Sequence, residues 1–365
     1  MLNTNATAAF TNRARRAPHL LREDFLRLKQ EQKLRNREAA QALGVSEAEA
    51  LAAFVGEHVV RLESNFVELF EEMPTLGSVM ALTRNEAAVH EKDGPFEQMS
   101  HDGPVGLALG SAIDLRIFYN NWASGFAVRE ETGRGTMKSL QFFDAQGHAV
   151  HKVFLRAHSD HAAFDAFVER RRMPEQAAGL DVAAAREPAP VRPDGELDVR
   201  GFHAAWAAMT DTHQFFGMLR KFGLARTQAL RLAERGFAQP VAADSLRLVL
   251  ESAAATQLPI MVFAGNHGMI QIHTGPVQTI RTMGPWLNVL DPGFNLHLRE
   301  DLIAQAWVVK KPTSDGIVTS LELFDANGEN IAMLFGARKP GEPELEAWRV
   351  LAASLPVLDG SEASA

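Results

Sequence analysis

The sequence predicts an α+β fold built by internal duplication: two similar halves, each with helices followed by an antiparallel meander, the large sheets stacked. Three observations carry this. The chain has 365 residues, long for one core and comfortable for two units of ordinary domain size. Helical periodicity in each half precedes short apolar alternations separated by Gly, Pro, Asn and Asp, an order that argues α+β rather than βαβ. A repeat also runs through the sequence at constant spacing. Asn85 matches Asn266, Gly94-Pro95 matches Gly275-Pro276, and Gly103-Pro104 matches Gly284-Pro285, all at an offset of 181. Without slipping, the register continues through Ser139-Leu140 with Ser320-Leu321, Phe143-Asp144-Ala145 with Phe324-Asp325-Ala326, and Gly147 with Gly328. Upstream, GVSEAEALAAF and GLARTQALRLA match at an offset of 179.

In chain order, residues 1–19 read as a loose N-terminal tail with scattered arginines and no apolar run of signal-peptide length. Residues 20–172 form the first repeat, with helical periodicity from Leu20 to Leu34 and from Glu47 to Leu62. Segment 112–122, AIDLRIFYNNW, alternates as a strand with Asp114, Arg116, Phe118 and Asn120 on one face. FFDAQGHAV places an Asp-Ala-X-Gly turn between apolar runs, a hairpin signal. Residues 173–198 are rich in Ala, Pro and acidic residues, lack an apolar period and read as a linker. The second repeat spans 199–352 and has its own hairpin, LFDANGENI, and 353–365 reads as a C-terminal tail.

Charge and composition narrow the function. Lys plus Arg minus Asp plus Glu is 37 − 45 = −8, so no global positive field gathers phosphate backbone or anionic lipid, which argues against a nucleic-acid partner. Nowhere are there ~18 consecutive apolar residues, so no membrane insertion is expected and the chain reads as cytoplasmic. Cysteine is absent, which removes disulfides, thiolate nucleophiles, Fe–S clusters and thiolate-ligated haem. Ligation of a metal or cofactor then falls to thirteen His, the carboxylates or the only tyrosine, Tyr119.

Segment 199–222 reads as one helix with Phe202, Trp206, Met209, His213 and Phe216 along one stripe. His213 thus lies on an apolar face, where a histidine is more often a satisfied core residue. Gly217, one turn onward, opens space beside the imidazole, and the stripe could pave the face of a flat macrocycle. A neutral imidazole on such a helix is what axial ligation of haem iron requires. The offset pairs His213 with Leu34 and Arg116 with His297, so the halves differ where one site per chain would make them differ. Arg116 reads equally as an Asp-paired strand residue. Lys310, Lys311, Arg338 and Lys339 fall on strands or their ends, where charge protects edges; with Arg226 they could instead hold the carboxylates of an anionic ligand. GRGTMKS at 133–139 reads as a hairpin turn rather than a phosphate loop, and His158 with His161 as a surface pair. No zinc-protease signature and no dinucleotide fingerprint is present.

Six segments, LRNREAAQALGVSEAEAL, IDLRIFYNNW, MTDTHQFFGMLRKFGLARTQA, DPGFNLHL, KKPTSDGIVTSLELFD and FGARKPGEPE, resemble in order and spacing the landmarks of the HemS-type haemin-degrading and haem-trafficking proteins of bacterial haem uptake. The resemblance covers about residues 20–352. It implies a duplicated fold with one haem b between the halves, as ligand and, in an enzyme, as substrate. His213 is implied as the proximal iron ligand and Arg116 as the cover of the opposite face, where it would act as a hydrogen-bond donor during catalysis. Arg226, Lys311 and Arg338 are implied on the propionate side. Met333 and Phe335 stand where some members have Gln and Tyr, so two polar contacts to the haem edge are expected to be missing. The resemblance also implies one of two roles. One is a haem-degrading oxygenase fed by an external reductant; the other is a carrier serving a separate haem oxygenase or an inner-membrane haem transporter.

Overall fold

The structure, a computed structural model, describes residues 16–133, 135–187, 190–339 and 341–358; the expected tails therefore lie largely outside the described residues. Helices α1 Pro18–Gln32, α2 Asn36–Leu43 and α3 Glu47–Ala52 open the chain, followed by β1 Val59–Arg61 and α4 Phe66–Glu71. Eight strands follow: β2 Ser78–Arg84, β3 Ala88–Pro95, β4 Met99–Asp102, β5 Val105–Leu109, β6 Asp114–Phe118, β7 Ser124–Thr132, β8 Gly135–Phe143 and β9 Ala149–Leu155, closed by α5 His161–Arg171; only β4-β5-β6 and β7-β8-β9 are runs of three consecutive neighbours, so the expected single meander is broken into pieces. The same order then recurs. Helices α6 Val199–Ala207, α7 Gln214–Phe222 and α8 Arg226–Arg231 precede β10 Ala238–Val241 and α9 Ser245–Thr256. Next come β11 Ile260–Asn266, β12 Met269–Gly275, β13 Ile280–Met283, β14 Trp286–Asp291, β15 Phe294–Arg299, β16 Gln305–Thr313, β17 Gly316–Phe324, β18 Asn330–Gly336 and α10 Glu346–Ala353. The internal duplication and the α+β class are thus features of the fold.

The strands pair in antiparallel runs. The chain divides into two compact units, one of Met1–Leu82, Asp93–Pro188 and His267–Met269, the other of Thr83–Lys92, Ala189–Asn266 and Ile270–Ala365. The first unit carries the strand runs β1-β7-β8-β9-β2 and β6-β5-β4; the second carries β10-β16-β17-β18-β11-β12 and β3-β15-β14-β13. Matching turns show why the repeat anchors recur. In each FDAxG segment the Asp carboxylate accepts backbone N–H groups two and four residues on, from Gln146 and His148 at Asp144, and from Asn327 and Glu329 at Asp325. Gly147 and Gly328 then sit at φ +81° and +78°, a region in which a Cβ would be strained. GRGTMKS lies at the β7–β8 turn, where pairing runs out to Thr132↔Gly135.

Each unit holds two apolar cores. In the first, Leu69, Phe70, Phe142, Phe164 and Phe167 form one; the helical layer of α1–α3 packs Phe25, Ala48 and Phe54 against Phe126 and Phe143 to form the other. In the second unit, Val249, Leu250, Leu321, Leu334 and Trp348 pack together, while Phe202, Trp206, Phe215 and Trp307 anchor α6 and α7.

Two sequence expectations need correction. The helix expected from Glu47 to Leu62 ends at Ala52, because Gly56 takes φ +93° and the β-branched Val59 and Val60 pair with Val128 and Ala127 on β7. The helix expected over 199–222 is two helices, α6 and α7, with a turn between them. Residues 173–183 of the expected linker are hydrogen-bonded to the first unit: Gln176 brackets the Arg61 backbone at 2.9 Å in both directions, and Gly179 N donates to Ala52 O at 2.8 Å.

Candidate functional site

The α6–α7 break decides the environment of His213. Helix α6 ends at Ala207 with Ala208 as its C-cap, and the Thr210-Asp211-Thr212 turn leads into α7 with His213 at its N-cap. Asp and Thr at a helix start accept the amide N–H groups that have no intrahelical partner. Asp211 Oδ1 accepts the His213 backbone N–H at 2.7 Å and meets His213 Nδ1, also at 2.7 Å. These bonds, that from the backbone N–H first, hold the Asp211 carboxyl below its ordinary pKa. The imidazole is 90% exposed, so His213 is not on the apolar stripe that the sequence predicts. Met209 and Phe202 are buried, but Phe216 is 65% exposed. On α7 the outward face is instead His213, Phe216, Gly217 and Arg220, at i, i+3, i+4 and i+7. A Cβ on Gly217 would meet nothing within 4 Å, and the Arg220 guanidinium lies 5.6 Å from the Phe216 ring centre.

The inward face of α7 rests on a buried ion cluster. Glu322, fully buried on β17, accepts from Arg226 Nε at 2.9 Å, Lys311 Nζ at 2.6 Å and Ser320 Oγ at 3.0 Å, and Arg226 Nη2 lies in ion-pair contact at 2.8 Å. Burial alone would raise its pKa, but the two cations overcome that and hold it at about 2. Burial and the neighbouring Arg226 pull the Lys311 ammonium down, against the attraction of Glu322. Phe215 covers the cluster, its ring centre 4.6 Å from Lys311 Nζ and 5.4 Å from the Arg226 guanidinium carbon. Lys311, 5% exposed, reaches a ligand carboxylate only by leaving Glu322.

The remaining candidates fall around this cluster. Met333 lies opposite Glu322 in the β17–β18 register, with its sulfur 3.2 Å from Arg226 Nη2. Phe335, two residues along the same strand, lies opposite Ser320 and packs on Phe263 at 5.0 Å. Arg338, 19% exposed, pairs with Asp315 at 3.1 Å, and its charge acts on Asp211. In the first unit, Arg116 on β6 is ion-paired with Asp114 and donates to Leu115 O at 3.2 Å. The structure therefore brings Arg226, Lys311 and Met333 together, with Arg338 electrostatically linked to the His213 turn. His161 Nε2 meets Arg156 O at 3.1 Å, and no cluster of three or more His, Asp or Glu that could hold a metal exists among the described residues. No helix among them is long and apolar enough to cross a membrane.

Glu322 escaped the sequence reading, although a signal was present: a carboxylate inside the apolar strand SLELF, at a position where the first repeat has Gln141. The counterpart of Arg226 is Glu47 and that of Met333 is Lys152, and in the first unit those two form an ion pair. The charge layout of the two repeats is thus reversed at this place.

Fold and site together define a tandem-duplicated α+β protein with an outward imidazole, its Nδ1 held by a carboxylate, above a buried cationic cluster. The chain belongs to the family of the haemin-degrading HemS.ChuX domain, which matches twice, over residues 44–170 and 223–355. Hemin transport protein HmuS of Yersinia pestis is 42% identical over 314 residues, covering 86% of this chain and 90% of HmuS. Holo-PhuS, a heme-binding protein from Pseudomonas aeruginosa, superposes with a TM-score of 0.92 at 48% identity, over 94% of this chain and all of PhuS. The heme degrading enzyme ChuS of Escherichia coli O157:H7 gives 0.87 at 39% identity, over 93% of this chain and all of ChuS.

Proposed function

We propose that this protein binds one haem through His213 Nε2 and opens its ring oxidatively to release iron in bacterial haem utilisation. One observation carries the reading: an imidazole 90% exposed, with Nδ1 engaged by Asp211 and Nε2 left as the outward nitrogen. The residues present fit a flat, dianionic macrocycle. Phe216 offers an exposed aromatic surface beside His213, Gly217 leaves open space, and Arg220, Arg226 and Arg338 supply guanidinium groups for carboxylates. HmuS, PhuS and ChuS are named for haemin transport, haem binding and haem degradation, which supports haem as the ligand.

Haem when bound supplies the redox iron and is itself the substrate; electrons come from an external reductant. His213 holds and orients it. Arg116, whose guanidinium only donates hydrogen bonds, would be the donor to oxygen chemistry that the haem supplies. Met333 and Phe335 would offer a thioether and a phenyl ring to the haem edge, where they would orient it by shape rather than by hydrogen bonds.

The name of HmuS favours a second reading, a carrier that hands haem to a separate haem oxygenase after receiving it from an inner-membrane transporter. One experiment separates the two. Haemin is added to the purified protein, then a reductant in air with catalase present, while the visible spectrum and carbon monoxide are followed. Ring opening supports the enzyme; an intact spectrum with transfer to an added oxygenase supports the carrier. Absence of a haem complex sinks both.

A further inference from the structure

We propose that Asp211 is the positioning residue of His213: it fixes the ring as the Nδ1–H tautomer, aims Nε2 outward and makes that nitrogen a more electron-rich iron ligand. The inference rests on His213 as the haem ligand and deepens that assignment.

The argument is geometric. A single oxygen, Asp211 Oδ1, contacts both the backbone nitrogen and the ring Nδ1 of His213, each at 2.7 Å. A carboxylate only accepts hydrogen bonds, so the ring proton in a neutral imidazole must sit on Nδ1, and Nε2 carries the lone pair. Free imidazole side chains have no such constraint. The chelate also removes rotational freedom from a side chain that is otherwise in solvent, which lowers the entropy lost when a ligand docks.

Asp211 is 57% exposed, so the turn rather than burial must hold it. Several bonds do so. Gln214 N donates to Asp211 O at 3.1 Å. Thr210 N donates to Gln214 Oε1 at 3.0 Å, and Gln214 Nε2 returns a bond to Thr210 Oγ1 at 3.2 Å. Ser314 N, in the β16–β17 turn, donates to Thr210 O at 2.9 Å, which ties the turn to the sheet. The 179 offset that pairs His213 with Leu34 also pairs Asp211 with Gln32, so the Asp–His pair is present in one repeat and absent as a unit from the other. Hydrogen bonds of this kind behind a ligating histidine raise its basicity, and their loss weakens metal binding by about 10–100-fold. A more basic imidazole favours ferric over ferrous iron, so Asp211 lowers the reduction potential of the complex.

The test starts with the haem-free chain. Nitrogen-15 NMR of labelled histidine should show His213 protonated on Nδ1 at neutral pH, and Asp211→Ala should move it toward the Nε2–H tautomer. In haem titrations Asp211→Ala should raise Kd about 10–100-fold, with a lower Fe(II)–His stretching frequency and a higher midpoint potential. Asp211→Asn still offers Oδ1 to both N–H groups and so should keep the tautomer and the fold while losing the charge; it should shift the stretch and the potential in the same directions. Wild-type tautomer, affinity and stretch in folded Asp211→Ala would overturn the inference. His213→Ala distinguishes the two levels. If it abolishes haem binding while Asp211→Ala changes nothing, only Asp211 is misassigned; if it binds haem like the wild type, the ligand assignment itself fails.

Discussion

Replacing Glu322 by Gln is the sharpest test of how the second unit holds α7 in place. The wild-type carboxylate is fully buried and receives three hydrogen bonds, two of them from the cations Arg226 and Lys311, with Arg226 Nη2 in ion-pair contact as well. Glutamine keeps the shape and part of the hydrogen bonding but leaves the Lys311 ammonium, 5% exposed, without its counter-ion. Breaking a buried pair on one side costs about 3–5 kcal/mol. The lowering of the Glu322 pKa by the two cations points the same way. The pKa falls from 4.5 to about 2, which at 1.36 kcal/mol per unit is about 3 kcal/mol. A folded-state pKa below the unfolded one means that this stabilisation is complete above pH 4.5 and is lost as pH falls through about 2. At pH 7, Glu322→Gln should therefore unfold about 3 kcal/mol more easily, with Tm lower by about 6–12 °C. Urea denaturation followed by tryptophan fluorescence reads this out, since Trp206, Trp307 and Trp348 lie in the two cores of this unit. Lys311→Met with Glu322→Leu should cost less than Glu322→Gln alone, because it removes both buried charges together. A Glu322→Gln protein within about 1 kcal/mol of wild type would refute the reasoning and make Lys311 free to serve a ligand.

Three other outcomes follow from the site and its surroundings. Haem titration should saturate at one per chain, because Leu34 stands in the first repeat where His213 stands in the second, and His213→Ala should lose the wild-type ferric spectrum with unchanged far-UV circular dichroism; two equivalent haems, or an unchanged spectrum, would count against His213. Arg116→Ala should still bind haem but shift the ferric water-to-hydroxide titration and slow any ring opening by about 10²-fold; identical behaviour would leave Arg116 as the strand partner of Asp114 that its ion pair describes. His273 is stacked on Phe294 at 3.7 Å beside Lys92, and burial first, then the lysine charge, lowers its pKa from 6.5 to about 3. It is therefore neutral when folded, and its contribution is complete above pH 6.5 and declines between pH 6.5 and about 3, by about 1.4 kcal/mol per pH unit. Urea melts of His273→Leu at pH 6.5 and 4.5 should show a slope shallower by that amount, and equal slopes would disprove it.

Sequence alone carried the features that depend on local chemistry and on spacing. The duplication was legible because turns such as Asp144–Gly147 and Asp325–Gly328 need an Asx acceptor and a positive-φ glycine, and those demands stay at a constant offset whatever packs around them. The alternation in IDLRIF was legible too: Leu115 and Ile117 are buried while Asp114, Arg116 and Phe118 are only partly so. Other features failed for physical reasons. Apolar residues at helical spacing continue across the α6–α7 break, so periodicity extended one helix through Thr210-Asp211-Thr212; the helix-start signal in those residues was available and competed with the stripe.

Partnership was the other missing layer. Arg226 and Lys311 look alike as surface cations in a sequence, and whether a cation meets solvent, a ligand or a buried carboxylate depends on a residue 96 positions away in one case and 11 in the other. Only tertiary packing could bring Glu322 to both. The same holds for His213. Its residue type and family position pointed to iron, but its outward exposure arises because α7 turns Phe215 inward over the ion cluster, which leaves the imidazole on the opposite side of the helix, within reach of Asp211.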